Sequence, residues 1–519
     1  MNTNDFKLNR ETLSMAQTIL DASCEQAVEK DFLLPDYYPD IFRILKCVIR
    51  PTVSSHSING GKLSFELTAL IRVLYISEND RRINCIEQKM TYTKSLDIQG
   101  ECIDPMIELT PKCDYVNCRV VNQRRLDIRG AVSISAKVVG EVSKPIVTDA
   151  FGCGIQLKKT PFTYTAKRLT ALKRITVIEE LALAASKPPV GTILRTSCRV
   201  IPQDHKMIAG KLVTKGDVEI SMLYGCVTPE GEESAETMRF TVPFSQIIDI
   251  DGIDESFTAK VDITAAGCEM IPRGEDSSTL ECEIVLIVSC VAKKLASCEI
   301  VTDAYSTCFE CEGESYESEL ECGSVKISEN HSAAAKLACQ EGELKCVHDS
   351  WAAVSDINTR FDEDKNAFVV SGNVNFCLLG RNGDGVPVYL ESDMPFEHEV
   401  ALPEGCTREA AFCPKVTVES CSYYLADESS AEVKAEIKIE GELITKQVGK
   451  MLTDLKVLFD KPKEKNDRYA LKICYCTEND DIWEIAKKYS TSVTAILEEN
   501  ELADDKLSRQ GMLLIPLMN

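Results

Sequence analysis

Apolar and polar residues alternate with a period of two along most of this chain. Val218, Ile220 and Met222 show the pattern in one run, and residues 433–439 repeat it in another. This alternation predicts half-buried β-strands, and glycine-containing turns separate the runs at 59–61, 229–231 and 382–385. The pattern predicts a mainly β fold built from antiparallel sandwich-like modules. Only two segments within these modules, residues 11–22 and 165–172, are predicted to be helical.

The sequence repeats itself with a period near 150 residues. Residues 26–75 align without a gap with residues 175–224, at a constant offset of 149. A more divergent third copy is clearest in VSGNVNFCLLG, where Gly372 and Phe376 match Gly216 and Ile220 of TKGDVEISMLYG. A fixed period of this length indicates repeated domains.

Each repeat closes on a related signature. It reads IVTDAF at 146–151, IVTDAY at 300–305 and, more weakly, MLTDLK at 451–456. The predicted organisation is therefore three modules, a short linker and a different C-terminal unit, with bounds at residues 1–160, 161–315, 316–460, 461–468 and 469–519.

Proline-rich segments lead into the first two modules. LPDYYPDIFRIL and ASKPPVGTIL are interpreted as loops before a strand, because proline removes a ladder donor. Either a structural edge or a partner-docking loop fits them, and the third module has no clear equivalent. His56 and His205 occupy matched repeat positions, which favours a shared structural role.

The formal charge of −24 is spread along the chain. Such a surface repels phosphate backbones and anionic lipid, which argues against nucleic acid as a partner. The N-terminus lacks the apolar core of a secretion signal, and no run approaches the roughly 18 apolar residues of a membrane span. We therefore expect a protein retained in the cytosol.

The 24 cysteines are expected to act mostly as small hydrophobes in strands. Cys308 and Cys311 form one CxxC pair, and structural zinc usually needs two such clusters, so no metal site is assigned beyond these two candidates. Gly61-Lys62 lacks the rest of a phosphate loop, and no catalytic or cofactor fingerprint is present. The sequence predicts no enzyme and no cofactor.

The segment from Tyr469 to Met518 follows a different pattern. A short alternating strand precedes Asp481, which can cap a helix with Glu484 three residues later. Two helical faces follow, and LLIP at 513–516 returns as a strand. The unit is predicted to be βααβ, with Trp483 in its core.

This unit resembles the LysM family in DDIWEIAKKY, ILEEN and GMLLIP. The resemblance implies recognition of N-acetylglucosamine-containing glycans or a partner through two loops. The implied site residues are Asn479, Asp480, Asp481, Ile482, Trp483, Asn500, Leu502, Ala503, Asp505 and Leu507. Asn479 stands where the family usually has glycine and Asp481 where it has threonine, and acidic residues crowd the second loop.

The whole arrangement is similar to the SipL-like family of clostridial spore-coat morphogenetic proteins. That resemblance implies a non-enzymatic scaffold at the forespore surface in the mother-cell cytoplasm. It would bind the coat-basement ATPase SpoIVA through the LysM unit, with other coat proteins and glycan as further partners. A peptidoglycan-binding protein of the cell or spore wall is the alternative that the sequence leaves open.

Overall fold

The computed structural model describes residues 6–99, 103–227, 233–274, 277–340, 342–404, 406, 408–463, 470–478, 480–502, 507 and 510–517. Over these ranges the chain is mainly β, and its two short helices both lie near the C-terminus. The expected fold class is confirmed. The turn expected at 229–231 and most of the linker expected at 461–468 lie outside the described residues.

The first module consists of six strands. They are β1 (Lys7–Leu33), β2 (Ile41–Asn59), β3 (Lys62–Ser77), β4 (Ile83–Asp97), β5 (Ile103–Asn122) and β6 (Arg125–Phe151). Two antiparallel sheets form, in the orders β1-β6-β5 and β2-β3-β4. Alternate residues of the two central strands, such as Phe65 and Ile134, enter one shared core. This packing of two inner faces is that of a sandwich.

The second module repeats this topology. Its strands are β7 (Ile155–Ala182), β8 (Thr192–Ile208), β9 (Lys211–Val227), β10 (Glu233–Asp249), β11 (Thr258–Arg273) and β12 (Thr279–Ser306). The sheets have the orders β11-β12-β7 and β10-β9-β8. Strand by strand, they correspond to the two sheets of the first module.

The third module keeps the plan with one strand divided. It contains β13 (Phe309–Ala338), β14 (Leu344–Asp362), β15 (Ala367–Asn382), β16 (Pro387–Ala401), β17 (Ala411–Phe412), β18 (Lys415–Asp427) and β19 (Ser430–Pro462). β19 pairs with β13 on one side and with β17 and β18 on the other, while β14-β15-β16 form the second sheet. The C-terminal unit follows as β20 (Leu471–Cys476), α1 (Ile482–Tyr489), α2 (Val493–Glu499) and β21 (Gly511–Pro516).

The two helices predicted inside the modules are wrong. Residues 11–22 lie in β1 and residues 165–172 lie in β7, which pair with β6 and β12 over almost their whole length. Leu13 and Met15 are both buried, which is the two-residue spacing of a strand. Helix propensities differ by less than about 1 kcal/mol per residue, so a long partner strand overrides them.

Strand pairing groups the chain into residues 7–151, 155–306 and 309–462. The boundaries expected at 160 and 315 fall inside β7 and β13, so the domain division that we propose follows the strand pairing. Tight turns join the groups, and at the first of these Gly152 and Gly154 have φ of 90° and 64°. A side chain at Gly154 would also meet the Thr307 hydroxyl, which makes glycine necessary there.

The proline-rich entrances are held by buried tyrosines. The Tyr75 hydroxyl donates to the Pro39 carbonyl at 3.1 Å, and Tyr224 donates to the Pro188 carbonyl at 3.0 Å. The equivalent position of the third module is Gly380, where a Cβ would lie 2.3 Å from the Cys346 carbonyl oxygen. The third module therefore lacks both the tyrosine and the entrance segment that the tyrosine anchors.

The three modules meet around a common centre. Equivalent signature residues share clusters, with Ile146, Ile300 and Met451 in one, and Val147, Val301 and Leu452 in another. Leu74, Leu223 and Leu379, which are equivalent positions of the smaller sheets, meet in a third cluster. β4 contacts β8, β10 contacts β14 and β16 contacts β2, so the contacts close a ring. The arrangement is pseudo-threefold.

Candidate functional site

The C-terminal unit is a small βααβ domain with its own core. β20 and β21 form an antiparallel pair, and both helices pack on one face of it. Ile482, Ala486, Ile496 and Ile515 are fully buried in this core. The predicted strand and helix order of the unit is therefore observed.

Polar side chains define the start of each helix. The Asp481 carboxylate accepts from the Trp483 backbone N–H at 2.8 Å, and the Ser492 hydroxyl accepts from the Ala495 N–H at 3.1 Å. These bonds satisfy backbone donors that the first helical turn leaves without a partner. Asp481 thus has a structural role in addition to the recognition role proposed for it.

The structure brings the two predicted loops together. The Leu507 N–H donates to the Asp480 carbonyl at 3.4 Å, and the Asp480 carboxylate accepts from the Thr477 N–H at 2.7 Å. Ile482, Trp483 and Leu507 are buried, whereas Asp480, Asp481, Asn500 and Leu502 are half-buried. Asn479, Ala503 and Asp505 lie outside the described residues.

Asn500 binds the edge of β21. Its amide donates to the Leu514 carbonyl at 2.7 Å and accepts from the Leu514 N–H at 2.8 Å. The amide nitrogen also donates to the Ile496 carbonyl at 2.8 Å. The side chain therefore reproduces the pairing of one strand residue and links α2 to the sheet, so Asn500 orders the second loop.

The outer face of the β20-β21 sheet carries exposed apolar side chains, a feature that the sequence pattern does not predict. Ile473 pairs with Leu514, and Tyr475 pairs with Met512. Their exposed fractions are 63% for Ile473, 65% for Tyr475 and 73% for Met512. Contiguous exposed apolar residues on a soluble domain mark an interaction surface. We call this surface, with Leu471, the apolar sheet face.

The other side of the domain rests on the second module. The Asp303 carboxylate accepts from the Trp483 indole N–H at 2.8 Å and from the Lys487 ammonium at 2.6 and 2.8 Å. The Tyr305 ring packs edge-on against the Trp483 ring, with centroids 4.9 Å apart. Tyr305 thereby joins the core of the C-terminal domain.

Two further bonds complete this contact. The Lys158 ammonium lies 2.6 Å from the Asp481 carboxylate, and the Tyr305 hydroxyl donates to the Thr491 carbonyl at 2.7 Å. Two predicted site residues, Asp481 and Trp483, therefore contact the second module. The signal available in the sequence was the signature IVTDAY, whose aspartate and tyrosine supply this surface.

Electrostatics favour a charged Asp303. Burial alone would raise the pKa of this carboxyl group, but the hydrogen bonds from Lys487 and Trp483 outweigh that effect and the pKa lies below its usual value. Burial raises the pKa of the Tyr305 phenol, which stays protonated and donates to Thr491. Both groups are in the state that the contact requires at neutral pH.

A cavity of about 730 Å³ lies beside this contact. Its walls come from the second signature, from both ends of the third module and from α1. Ser315 and Asp303 both line it, together with Lys450, Lys463 and Lys488. The space beside Asp303 can therefore accept a longer side chain at position 315.

The other candidate residues do not assemble into a reactive centre. Among the described residues no group of three or more His, Cys, Asp or Glu side chains is placed to hold a metal. Cys308 and Cys311 are half-buried, and burial raises the pKa of the Cys311 thiol. Burial lowers the pKa of His56. No helix in the described ranges is both long and apolar enough to cross a bilayer.

Comparison with known families decides what these domains are. Residues 40–121 and 189–270 each match the SPOCS domain of SipL, and residues 477–515 match the LysM domain. The chain carries two SipL-type SPOCS domains and one LysM domain. The first SPOCS match runs from the entrance loop of the first module to β5, and the second runs from the entrance loop of the second module to β11. Neither the curated proteins nor the solved structures contained a match.

The resemblance expected from the sequence is confirmed by these matches. SPOCS domains of SipL place the chain in sporulation, and the LysM domain is a peptidoglycan-binding module. Both families are non-catalytic. At this level the chain combines sporulation-related SPOCS domains with a LysM domain of the glycan-binding kind. The LysM domain is docked on the second module at Lys158, Asp303 and Tyr305, outside the matched SPOCS residues.

Proposed function

We propose that the chain is a non-enzymatic adaptor that promotes assembly of the spore coat around the forespore. Its LysM domain binds the coat-basement ATPase SpoIVA at the forespore surface, in the mother-cell cytoplasm. The second repeat module holds the LysM domain, and the repeat modules offer surfaces for other coat proteins. Several linked weak sites raise the effective concentration of each partner, which suits an assembly factor.

The apolar sheet face is the observation that carries this proposal. Ile473, Tyr475 and Met512 are each more than three-fifths exposed, and they lie side by side on two paired strands. An apolar centre of this kind with a polar rim is the usual anatomy of a protein interface. Tyrosine and methionine are among the residue types enriched there.

The charges around this surface also favour a protein partner. Glu498, Glu499 and Glu501 are exposed beside the second loop. Carboxylates at a rim steer a partner that presents basic residues and bring little to a neutral sugar. The proposed site thus combines the apolar sheet face with Asp480, Asn500 and Leu502 of the loops.

Glycan binding is the second candidate, and the LysM match itself is the observation that favours it. LysM modules hold N-acetylglucosamine chains in the groove between the two loops, which here meet at Asp480 and Leu507. A wall-binding protein would use this groove and would not need the apolar sheet face. The two candidates therefore predict different responses to substitutions on that face.

The test compares two partners and two surfaces with the full-length protein. Tyr475→Ser combined with Met512→Ser should weaken capture of the SpoIVA-like ATPase by at least about tenfold, because interface anchors commonly cost more than 1 kcal/mol each. Binding to peptidoglycan should stay the same. Biolayer interferometry for the ATPase and sedimentation with purified peptidoglycan provide the two measurements.

A matched control is available on the first module. Tyr115 and Val121 of β5 are 59% and 53% exposed, so Tyr115→Ser with Val121→Ser removes comparable surface far from the LysM domain. This variant should capture the ATPase as the natural protein does. Tight peptidoglycan binding with no affinity for the ATPase would contradict the proposed function.

A further inference from the structure

The three signatures share one local structure. In each, strand pairing skips the threonine, so that it forms a β-bulge, and the next residue is an aspartate. Asp149, Asp303 and Asp454 each accept a hydrogen bond from the following backbone N–H, at 3.0, 2.9 and 2.8 Å. The bulge fixes each carboxylate at an equivalent place around the pseudo-threefold centre.

Two of these aspartates pair with the next module in the ring. Lys159 of the second module lies 3.5 Å from Asp149 of the first, and Arg10 of the first module pairs with Asp454 of the third. Arg10 and Lys159 are register equivalents, since they face Val147 and Val301 of their own hairpins. Each cation thus comes from the same position of an opening strand.

The third module has no cation at this position. Ser315 faces Leu452, which is the equivalent of Val147 and Val301, so Ser315 stands where Arg10 and Lys159 stand in the other modules. Symmetry would direct this residue to Asp303, and both side chains line the same cavity. Instead, the Asp303 carboxylate forms its ion pair with Lys487 of the LysM domain and also accepts a hydrogen bond from the indole N–H of Trp483.

We propose that the missing cation at position 315 makes the second signature a receptor for the LysM domain. In the docked domain the first loop of the LysM site, at residues 480–483, is closed to external glycans, while the apolar sheet face remains available to a protein partner. The second part deepens the proposed function, because it assumes that the sheet face serves a protein partner. The docking itself depends only on the three signature aspartates and the residues that face them.

Two more substitutions suit the second signature to this role. Lys158, which binds Asp481, is replaced by Asn9 and Glu314 at the equivalent positions of the other hairpins. Tyr305, which packs on Trp483, is replaced by Phe151 and Lys456. Only the second signature therefore combines a vacant cation position with an aromatic ring and a lysine for the LysM loop.

The loop is closed because the LysM residues that contact the second module are themselves residues of that loop. The Lys158 ammonium donates to Oδ2 of Asp481, the carboxylate oxygen that does not cap α1. Asp303 and Tyr305 cover Trp483, which is 6% exposed. A glycan that reads this loop must first displace Lys158. The apolar sheet face is composed of other side chains, 63–73% exposed at Ile473, Tyr475 and Met512. Docking therefore separates the two kinds of ligand.

The first readout is the environment of Trp483 in the full-length protein. Ser315→Arg should place a guanidinium on Asp303 and evict Lys487, and Asp303→Asn should remove the acceptor directly. Both should shift the Trp483 fluorescence emission to the red, while Trp351 contributes a constant background. Asp149→Asn, which breaks an equivalent pair, is the matched control and should leave the spectrum unchanged. An unchanged spectrum in both Ser315→Arg and Asp303→Asn would overturn the proposal that the second signature is the receptor for the LysM domain.

The second readout is binding of chitohexaose, a six-residue N-acetylglucosamine oligomer, by isothermal titration calorimetry. Affinity should rise at least about fivefold in Ser315→Arg and Asp303→Asn, within the usual range of coupling between sites. It should not change in Asp149→Asn. Release of Trp483 without a gain in chitohexaose affinity would overturn the closure of the loop.

Capture of the SpoIVA-like ATPase separates this inference from the proposed function. Equal capture by the natural protein and by Ser315→Arg supports the availability of the sheet face in the docked domain. A gain in capture by Ser315→Arg would mean that docking hides the face, and it would overturn that part of the inference. Absence of capture by the natural protein contradicts the proposed partner. The fluorescence and chitohexaose results would still decide the docking.

Discussion

The first and second signatures share the letters IVTDA, yet they have different neighbours. Asp149 pairs with Lys159 of the adjoining module, and Phe151 is 51% exposed. Asp303 pairs with the LysM domain, and Tyr305 is 3% exposed. The first five residues are the same in both, so most of the difference lies in the strands that face them, at Ser315 and Lys158, and the rest lies in the exchange of Phe151 for Tyr305. A repeat can gain a partner domain mainly through changes outside the repeated motif.

The comparison also explains how one LysM domain attaches to a near-symmetrical core. Three equivalent docking places would leave the domain without a fixed position. Of the three signature aspartates, only Asp303 has no cation opposite it in the neighbouring module. Ser315 stands there, at the position that Arg10 and Lys159 occupy in the other two pairs. A single broken pair therefore gives the domain a defined position.

Trp483 is buried against Tyr305, whereas Phe151, the equivalent of Tyr305 in the first module, is half exposed. Trp483→Ala should destabilise the LysM domain by about 3–5 kcal/mol, because it removes a buried ring and its contact with Tyr305. Phe151→Ala, at the exposed equivalent of Tyr305, should change stability by less than about 0.5 kcal/mol. Hydrogen exchange of the β20 and β21 amides reports on the LysM domain in Trp483→Ala, and exchange of the β6 amides reports on the first module in Phe151→Ala. Similar losses in the two variants would contradict the account.

A middle-sized effect distinguishes the two SPOCS domains from the third module. Tyr75→Phe and Tyr224→Phe should each cost about 0.5–1.5 kcal/mol, since each removes the bond to a proline carbonyl at an entrance loop. Gly380→Ala should also destabilise the third module, because the added Cβ meets the Cys346 carbonyl. Calorimetry of the full-length variants tests this. A neutral Tyr75→Phe would show that the entrance is held by other contacts.

A smaller effect is expected at the intact pairs of the ring. Arg10→Gln and Lys159→Gln should each cost between 0 and about 1 kcal/mol, because the paired groups are partly exposed. Neither change should release the LysM domain, since neither residue touches it. Thermal melting and the Trp483 emission give the two measurements. A red shift in Lys159→Gln would show that the pairs act as one network.

The smallest effect concerns pH. The Asp303 pKa is lowered, so its contribution to docking is complete above the usual aspartate value near 3.9 and is lost as pH falls through the lower, docked value. Between about pH 8 and 5 the Trp483 emission should therefore stay constant. A change near pH 6.5 would instead indicate control by a histidine.

Much of the fold could be predicted from the sequence, because alternation and repetition are properties of the sequence itself. The pattern at residues 11–22 predicts a helix because the sequence does not reveal the long partner strand β6. The LysM core was predictable from DDIWEIAKKY. The apolar sheet face was not, because alternation in Leu471, Ile473 and Tyr475 predicts a strand without saying which face is covered.

The docking surface could not be predicted from the sequence either, for a different reason. The signature IVTDAY is visible in the sequence, but the equivalence of Ser315 with Arg10 and Lys159 depends on strand register. Bulges at the signature threonines shift that register, so an alignment by residue number does not place Ser315 opposite Leu452. The pairing of the hairpins had to be known first.

The most direct measurement of the central claim is the indole N–H signal of Trp483. The chain has two tryptophans, so a protein labelled with ¹⁵N-tryptophan gives two indole signals, and Trp351 serves as an internal reference. The account predicts that the Trp483 indole proton exchanges slowly in the natural protein and in Asp149→Asn, and rapidly in Ser315→Arg. An equally slow Trp483 signal in Ser315→Arg would contradict the claim that the missing cation creates the LysM receptor.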